Sequence, residues 1–271
     1  MADANDAYYG QLAEGRNDYW ARMAAPRHRR EVILRILREL VPTRLIDLGC
    51  GNGQLLRAVA GEWPGALLCG VDLSEAQIRA NRESAPGVAW YAAKLDAEDD
   101  PPSDLVAAFD CVTASELIEH TERPDLLLGM AFRLATAGGH LVLSTQSGRI
   151  GETERSVGHL RHFDHFEIAG LLESSGWRVV RVWNTGFPFH DLSKWIANLR
   201  PAASLSRFGG ERYGLLENAV CLGLRALFRL NSQTRGAQLF AVARKPVIPA
   251  TGPEILNHPT DRDALPDQEV S

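Results

Sequence analysis

Two periods of apolar residues alternate along the chain. Val32, Ile33, Ile36, Leu37 and Leu40 recur every three or four positions, which predicts a helix over 27–40 that ends at Pro42. Short, mainly apolar runs follow at 45–46, 67–71, 88–92, 109–114, 140–145, 177–183 and 238–243. Runs of that length bounded by glycine, proline or acids read as buried strands. Between them lie helical patterns such as Leu55, Leu56 and Val59, and later Leu126, Leu127, Met130 and Leu134, with a polar loop expected over 151–161 and a further helix over 163–175. Ser74 is placed to cap the helix that begins at Glu75. Strands alternating with helices predict an α/β protein built on a doubly wound parallel sheet.

The break after the first strand carries the first chemical signal. Asp47-Leu48-Gly49-Cys50-Gly51-Asn52-Gly53 puts three glycines on alternate positions before a helix. Glycine admits positive φ and lets a ligand lie on bare backbone, and the helix start adds free N–H groups. The second strand ends in Asp72, about twenty residues on, where a carboxylate can accept from ribose hydroxyls. A dinucleotide fingerprint requires a third glycine where Gln54 stands, and the Asp47 carboxylate would repel a pyrophosphate but suits a sulfonium or ammonium ligand.

On these residues the chain resembles the class I S-adenosylmethionine-dependent methyltransferases. Residues 45–53 match their first motif and 70–74 their second, and the likeness runs over 27–186 plus a last strand near 237–245. The resemblance implies a seven-stranded Rossmann-like sheet with helices on both faces. It implies S-adenosyl-L-methionine as methyl donor, held by Asp47, Gly49, Cys50, Gly51, Asp72, Leu73, Asp96, Ala97 and Ser115. In that pattern Asp96 accepts from the adenine amino group and Ala97 supplies backbone contacts.

The fourth strand delivers Ser115-Glu116-Leu117-Ile118-Glu119-His120 to the same sheet edge. If a helix begins at 116, Glu116, Glu119 and His120 share one face. Two carboxylates and an imidazole suit a divalent cation, with His159 as a further ligand. The pentapeptide resembles the ubiquinone-pathway O-methyltransferases, and also the small-RNA 2′-O-methyltransferases, both of which hold a metal against the acceptor hydroxyl. Without a metal, His120 alone can act as general base. The main expectation is O-methylation of a small, partly apolar hydroxylated metabolite. RNA 2′-O-methylation, N-methylation and a non-catalytic donor-binding module are the competing readings.

Residues 187–236 exceed what joins strands six and seven. This helical insertion carries Phe187, Phe189, Trp195 and Ile196 and an apolar helix over 213–230 punctuated by arginines. It is expected to wall the acceptor site as a lid. A membrane-surface contact and a homodimer face are the alternatives. Residues 1–26 read as a helical flap, 27–246 as the methyltransferase domain and 247–271 as a disordered tail. One of Arg22, Arg27 or Arg29 is placed to reach a ligand carboxylate. A net charge of −5 over 271 residues argues against a nucleic-acid partner. Four cysteines without metal spacing, and no signal-peptide pattern, predict a cytoplasmic protein.

Overall fold

A computed structural model describes residues 18–96, 101–208 and 212–247. Most of the expected flap, nearly all of the expected tail, and Ala97 lie outside the described residues. In chain order the elements are α1 (Asp18–Arg22), α2 (Ala24–Leu40), β1 (Arg44–Leu48), α3 (Gln54–Glu62), β2 (Leu67–Asp72), α4 (Glu75–Ser84) and β3 (Ala89–Ala92). There follow β4 (Phe109–Ser115), a one-turn 3-10 helix (Ile118–His120), α5 (Pro124–Leu134), β5 (Ala135–Gln146), α6 (Glu152–Ser156), α7 (His165–Ser174) and β6 (Arg178–Thr185). The insertion forms α8 (Phe189–Leu199), α9 (Pro201–Phe208) and α10 (Leu215–Phe228) before β7 (Gln238–Arg244).

The seven strands make one sheet in the order β3-β2-β1-β4-β5-β7-β6. The first five are parallel, and β7 runs antiparallel to both β5 and β6. Strand order reverses between β1 and β4, so the carboxyl ends of these neighbours open the crevice where ligands bind in such sheets. The alternation of side chains along a strand supplies both faces. Leu45, Cys111, Val142 and Phe240 pack under α2, α3 and α4 with Ile33, Leu37, Leu56 and Ile78. Ile46, Val112, Leu141 and Ala241 pack with Leu127, Leu128, Ile168 and Leu172 of α5 and α7.

Local chemistry sets the helix starts. The Ser74 hydroxyl accepts from the Gln77 N–H at 3.3 Å, as expected. Asp164 and Glu167 cap α7 reciprocally. Two expectations need correction. Strand β5 starts at Ala135, because a bulge between Phe109 and Cys111 lets Ala135 pair with β4 before the Gly138-Gly139 turn. The segment 151–161, expected as a loop, contains α6.

Helix α10 packs on α2 and α8. Phe228, fully buried, sits between the rings of His28 and His190, with centroids 5.8 and 5.5 Å away.

Candidate active site

A cleft of about 1200 Å³ opens at the carboxyl ends of the parallel strands. The glycine loop forms one wall. Gly49, Gly51 and Gly53 all have positive φ. A Cβ on Gly53 would stand 2.6 Å from the Trp90 ring, so that glycine is required by packing. A Cβ on Gly51 would meet nothing within 4 Å, because that backbone faces the open cleft. Bare backbone beside an open crevice is the cradle a nucleoside needs.

Asp72 stands at the rim. Its carboxylate accepts from the N–H groups of Gly51 at 2.8 Å and Ser74 at 3.0 Å, which fixes its orientation. Asp47 lies deeper and is almost fully buried. It accepts from the Thr113 hydroxyl on β4 at 2.6 Å. Burial, reinforced by Asp72 and partly offset by Thr113, pushes its carboxyl up to about 7. Asp96 accepts from the Thr121 hydroxyl at 2.7 Å. The Ser115 and Ser144 hydroxyls lie 2.9 Å apart. Cys50, Leu73, Asp96 and Ser115 all line the cleft. The sequence-expected donor residues within the described chain therefore converge on one crevice.

The acceptor side is built from the loop after β4. Glu116 has φ +51°, and the one-turn helix begins only at Ile118. The expected single helical face is thus replaced by a kinked turn. Glu116 takes Arg29 at 3.1 Å and the Gln146 amide at 2.8 Å. Glu119 is fully buried and accepts from the Thr145 hydroxyl at 2.8 Å. Ligand atoms of Glu119, His120 and His159 all lie within 4.8 Å of one another. Of the four residues expected to hold a metal, Glu116 stands beside this trio rather than in it.

Hydrogen bonds to carbonyls set the imidazole tautomers. His120 Nδ1 is 3.2 Å from the Gly158 carbonyl oxygen, which can only accept, so the proton is on Nδ1. His162 Nδ1 likewise donates to the Gly148 carbonyl at 3.1 Å. The lone pair on His162 Nε2 then accepts from His159 Nδ1 at 3.1 Å. Both His120 and His159 are left with a basic Nε2.

The charges in this corner are divided unequally. Burial works to raise the Glu116 carboxyl, but Arg29 and then Gln146 bring it below the usual range. Burial, reinforced by the Glu116 charge, holds Glu119 well above it. Burial lowers His120, against the pull of Glu116, and lowers His159 to about 3. One oxygen each of Glu116 and Glu119 is buried without a hydrogen-bond partner among the described residues. Orphaned carboxylate oxygens beside two imidazole lone pairs are a donor set that fits a divalent cation.

Other expectations are corrected. Phe187 and Trp195 are more than half exposed, and neither they nor Phe189 line the cleft, although Ile196 does. Of the three candidate arginines only Arg29 lines it, and its partner is Glu116; Arg22 bonds Asn218, and Arg27 the Ala21 carbonyl. Sequence reasoning did not find Thr113, Gln146 or Lys194, whereas His162 stands out in the His-x-x-His spacing with His159.

This strand order, with a reversed seventh strand and a glycine loop facing an acid at the end of β2, defines a class I methyltransferase fold. A family described as a methyltransferase domain matches residues 19–182, more than half of the chain. The chain belongs to this family. The ubiquinone biosynthesis O-methyltransferase of Thiobacillus denitrificans is 34% identical over 110 residues, 39% of this chain and 45% of that protein. The matched part thus spans under half the length of that relative. A putative sarcosine dimethylglycine methyltransferase from Galdieria sulphuraria superposes with TM-score 0.56 at 12% identity, over 80% of this chain and 85% of that one. A Haemonchus contortus phosphoethanolamine N-methyltransferase solved with S-adenosyl-L-methionine gives TM-score 0.52 at 17% identity, over 80% and 53%. Among the described residues no helix is long and apolar enough to cross a membrane.

Proposed function

We propose that this protein transfers the methyl group of S-adenosylmethionine to a hydroxyl of a small, partly apolar metabolite. The observation that carries the reading is the Glu119–His120–His159 cluster, whose two imidazoles line the same cleft as Gly51 and Asp72 while Glu119 is fully buried beside them. The donor is held by Asp72 at the ribose hydroxyls, Asp96 at the adenine amino group and Asp47 toward the cationic end. The O-methyltransferase name of the sequence relatives supports oxygen as the acceptor atom.

The sulfonium donor supplies an already activated methyl group, so alignment provides most of the rate. The chain's task is to orient the hydroxyl and remove its proton. Neutral His120, with Nδ1 fixed on Gly158, presents Nε2 as the acceptor of that proton. As the O–CH₃ bond forms, the S–CH₃ bond breaks and its electrons stay on sulfur. Base and metal ligand use the same lone pair: with a divalent cation held by Glu119, His120 and His159, His120 Nε2 would be a ligand instead of the base, and the cation would lower the pKa of the acceptor hydroxyl. None of the four cysteines is in a disulfide, which supports a cytoplasmic setting.

A panel of catechols, phenols and amines assayed with radiolabelled donor tests the proposal. Transfer to a hydroxylated ring is expected. His120→Ala should lower kcat about 100-fold or more, with donor affinity by calorimetry essentially unchanged. Label transferred to amines alone, or equal turnover in the variant, would reject the assignment.

A further inference from the structure

Helix α8 is amphipathic in the wrong sense for a lid that closes a core. Its polar face points inward, where Lys194 pairs with Glu154 at 3.4 Å and donates to the Gln146 side-chain oxygen Oε1 at 3.3 Å. Its apolar face points outward. Leu192, Trp195, Ile196 and Leu199 fall at i, i+3, i+4 and i+7, and are 48, 60, 53 and 58% exposed. A helix serving only its own domain turns that stripe to the core. Helix α10, which packs on α8, also exposes Leu216, Leu222 and Leu227.

The charge of this region is also set apart. Residues 187–236 carry seven basic and three acidic side chains, a net of +4 in a chain whose total is −5. Arg200 at the end of α8, and Arg212 and Arg229 on either side of α10, are exposed. Exposed apolar helix faces flanked by cations in a basic region call for a partner that is apolar inside and anionic at its boundary. A second copy would set like charge against like, which disfavours that pairing. A bilayer with anionic headgroups satisfies both requirements, because apolar side chains enter the acyl boundary while arginines meet phosphates.

We propose that the outward faces of α8 and α10 dock on the surface of an anionic phospholipid bilayer, lying on it rather than crossing it. Ile196 of α8 and Val220 of α10 also line the cleft, so docking brings the cleft mouth to the lipid. An amphiphilic acceptor would then enter without crossing water. That last consequence rests on the proposed methyltransferase function, whereas the docking does not.

The test is co-flotation of the full chain with vesicles of phosphatidylcholine, with and without phosphatidylglycerol, and needs no methyl transfer. The wild type should float with the anionic vesicles, less so at high salt and with neutral vesicles. The double variant Trp195→Glu, Leu199→Glu should lose about tenfold or more in partitioning, while its donor affinity by calorimetry is retained. That retention shows the variant is folded, and any failure of the catalytic reading would appear in the assay of the previous section instead. The proposal is overturned if the wild type does not float with anionic vesicles, or if the double variant floats equally. A concentration-dependent dimer that the double variant abolishes, with no flotation, would also overturn it and assign the face to a second copy.

Discussion

Asp47 is the residue whose environment makes the sharpest demand. Its carboxyl is held at about 7 by burial, so near neutrality it is only partly ionised in the unliganded protein. A raised carboxyl pKa means that folding disfavours the charged form. The unliganded protein therefore has this contribution in full below the unfolded pKa of about 4 and gives it up as pH climbs through about 7. A cationic donor needs the ionised form. Donor affinity should accordingly rise about eightfold between pH 6 and 7.5, measured by calorimetry, and Asp47→Asn should be weaker and flat over that window. A pH-independent wild type would remove Asp47 from the donor site. Asp47 was legible because it opens the glycine motif, whereas its partner Thr113 lies 66 residues away on β4 and no local pattern joins them. The same holds for His162, whose role depends on a chain of ring nitrogens ending on the Gly148 carbonyl. His162→Phe should leave His159 without its fixed tautomer. A metal titration of the intact protein should then show affinity about 10- to 100-fold weaker than wild type, with donor binding unaffected.

At the scale of elements, the strands and most helices were readable because apolar runs and 3.6-residue spacing report burial directly. What stayed hidden was conformation set by distant partners. The helix imagined to begin at Glu116 is broken because Glu116 adopts positive φ, with its carboxylate tied to Arg29 of α2 and Gln146 of β5. Nothing in Glu-x-x-Glu-His announces that turn. The apolar residues of α8 recur at i, i+3, i+4 and i+7, but that spacing does not say which face meets the protein. The expectation that its aromatics face the acceptor assumed the apolar side is inside, whereas the Lys194–Glu154 pair turns the helix over. The joint that holds the insertion against the sheet domain is Phe228, wedged between His28 of α2 and His190 of α8. Phe228→Ala should destabilise the protein by about 3–5 kcal/mol in urea unfolding, because two helices flank the cavity and neither can collapse freely into it. A loss near zero would mean that α10 is not integrated with the core.

For the whole molecule, the sheet order and the reversed β7 settle the architecture, but a fold hosts many chemistries and function resides in the site placed on it. The crevice at the β1–β4 reversal is common to doubly wound proteins that bind quite different nucleosides. What separates them here is charge at the loop entry and room beside it. The Asp47 carboxylate lines the cleft, where it would repel a pyrophosphate, and Gly51 leaves open space that a side chain would fill. Ligand specificity should therefore appear as linkage to global stability. At a concentration one hundred times its Kd, a ligand that binds only the folded state adds about 2.7 kcal/mol. For a chain of this size that corresponds to a rise in Tm of about 5–10 °C. S-adenosylmethionine or S-adenosylhomocysteine should give such a shift in a thermal scan of the intact protein, and NAD⁺ at equal concentration should give none. Because the product carries no sulfonium charge, its shift should depend less on pH between 6 and 7.5 than that of the donor. Asp72→Ala should reduce both shifts together, since both ligands share the ribose. A nicotinamide cofactor that stabilised the protein more than the adenosyl ligands would leave the sheet topology intact and overturn the reading of its crevice.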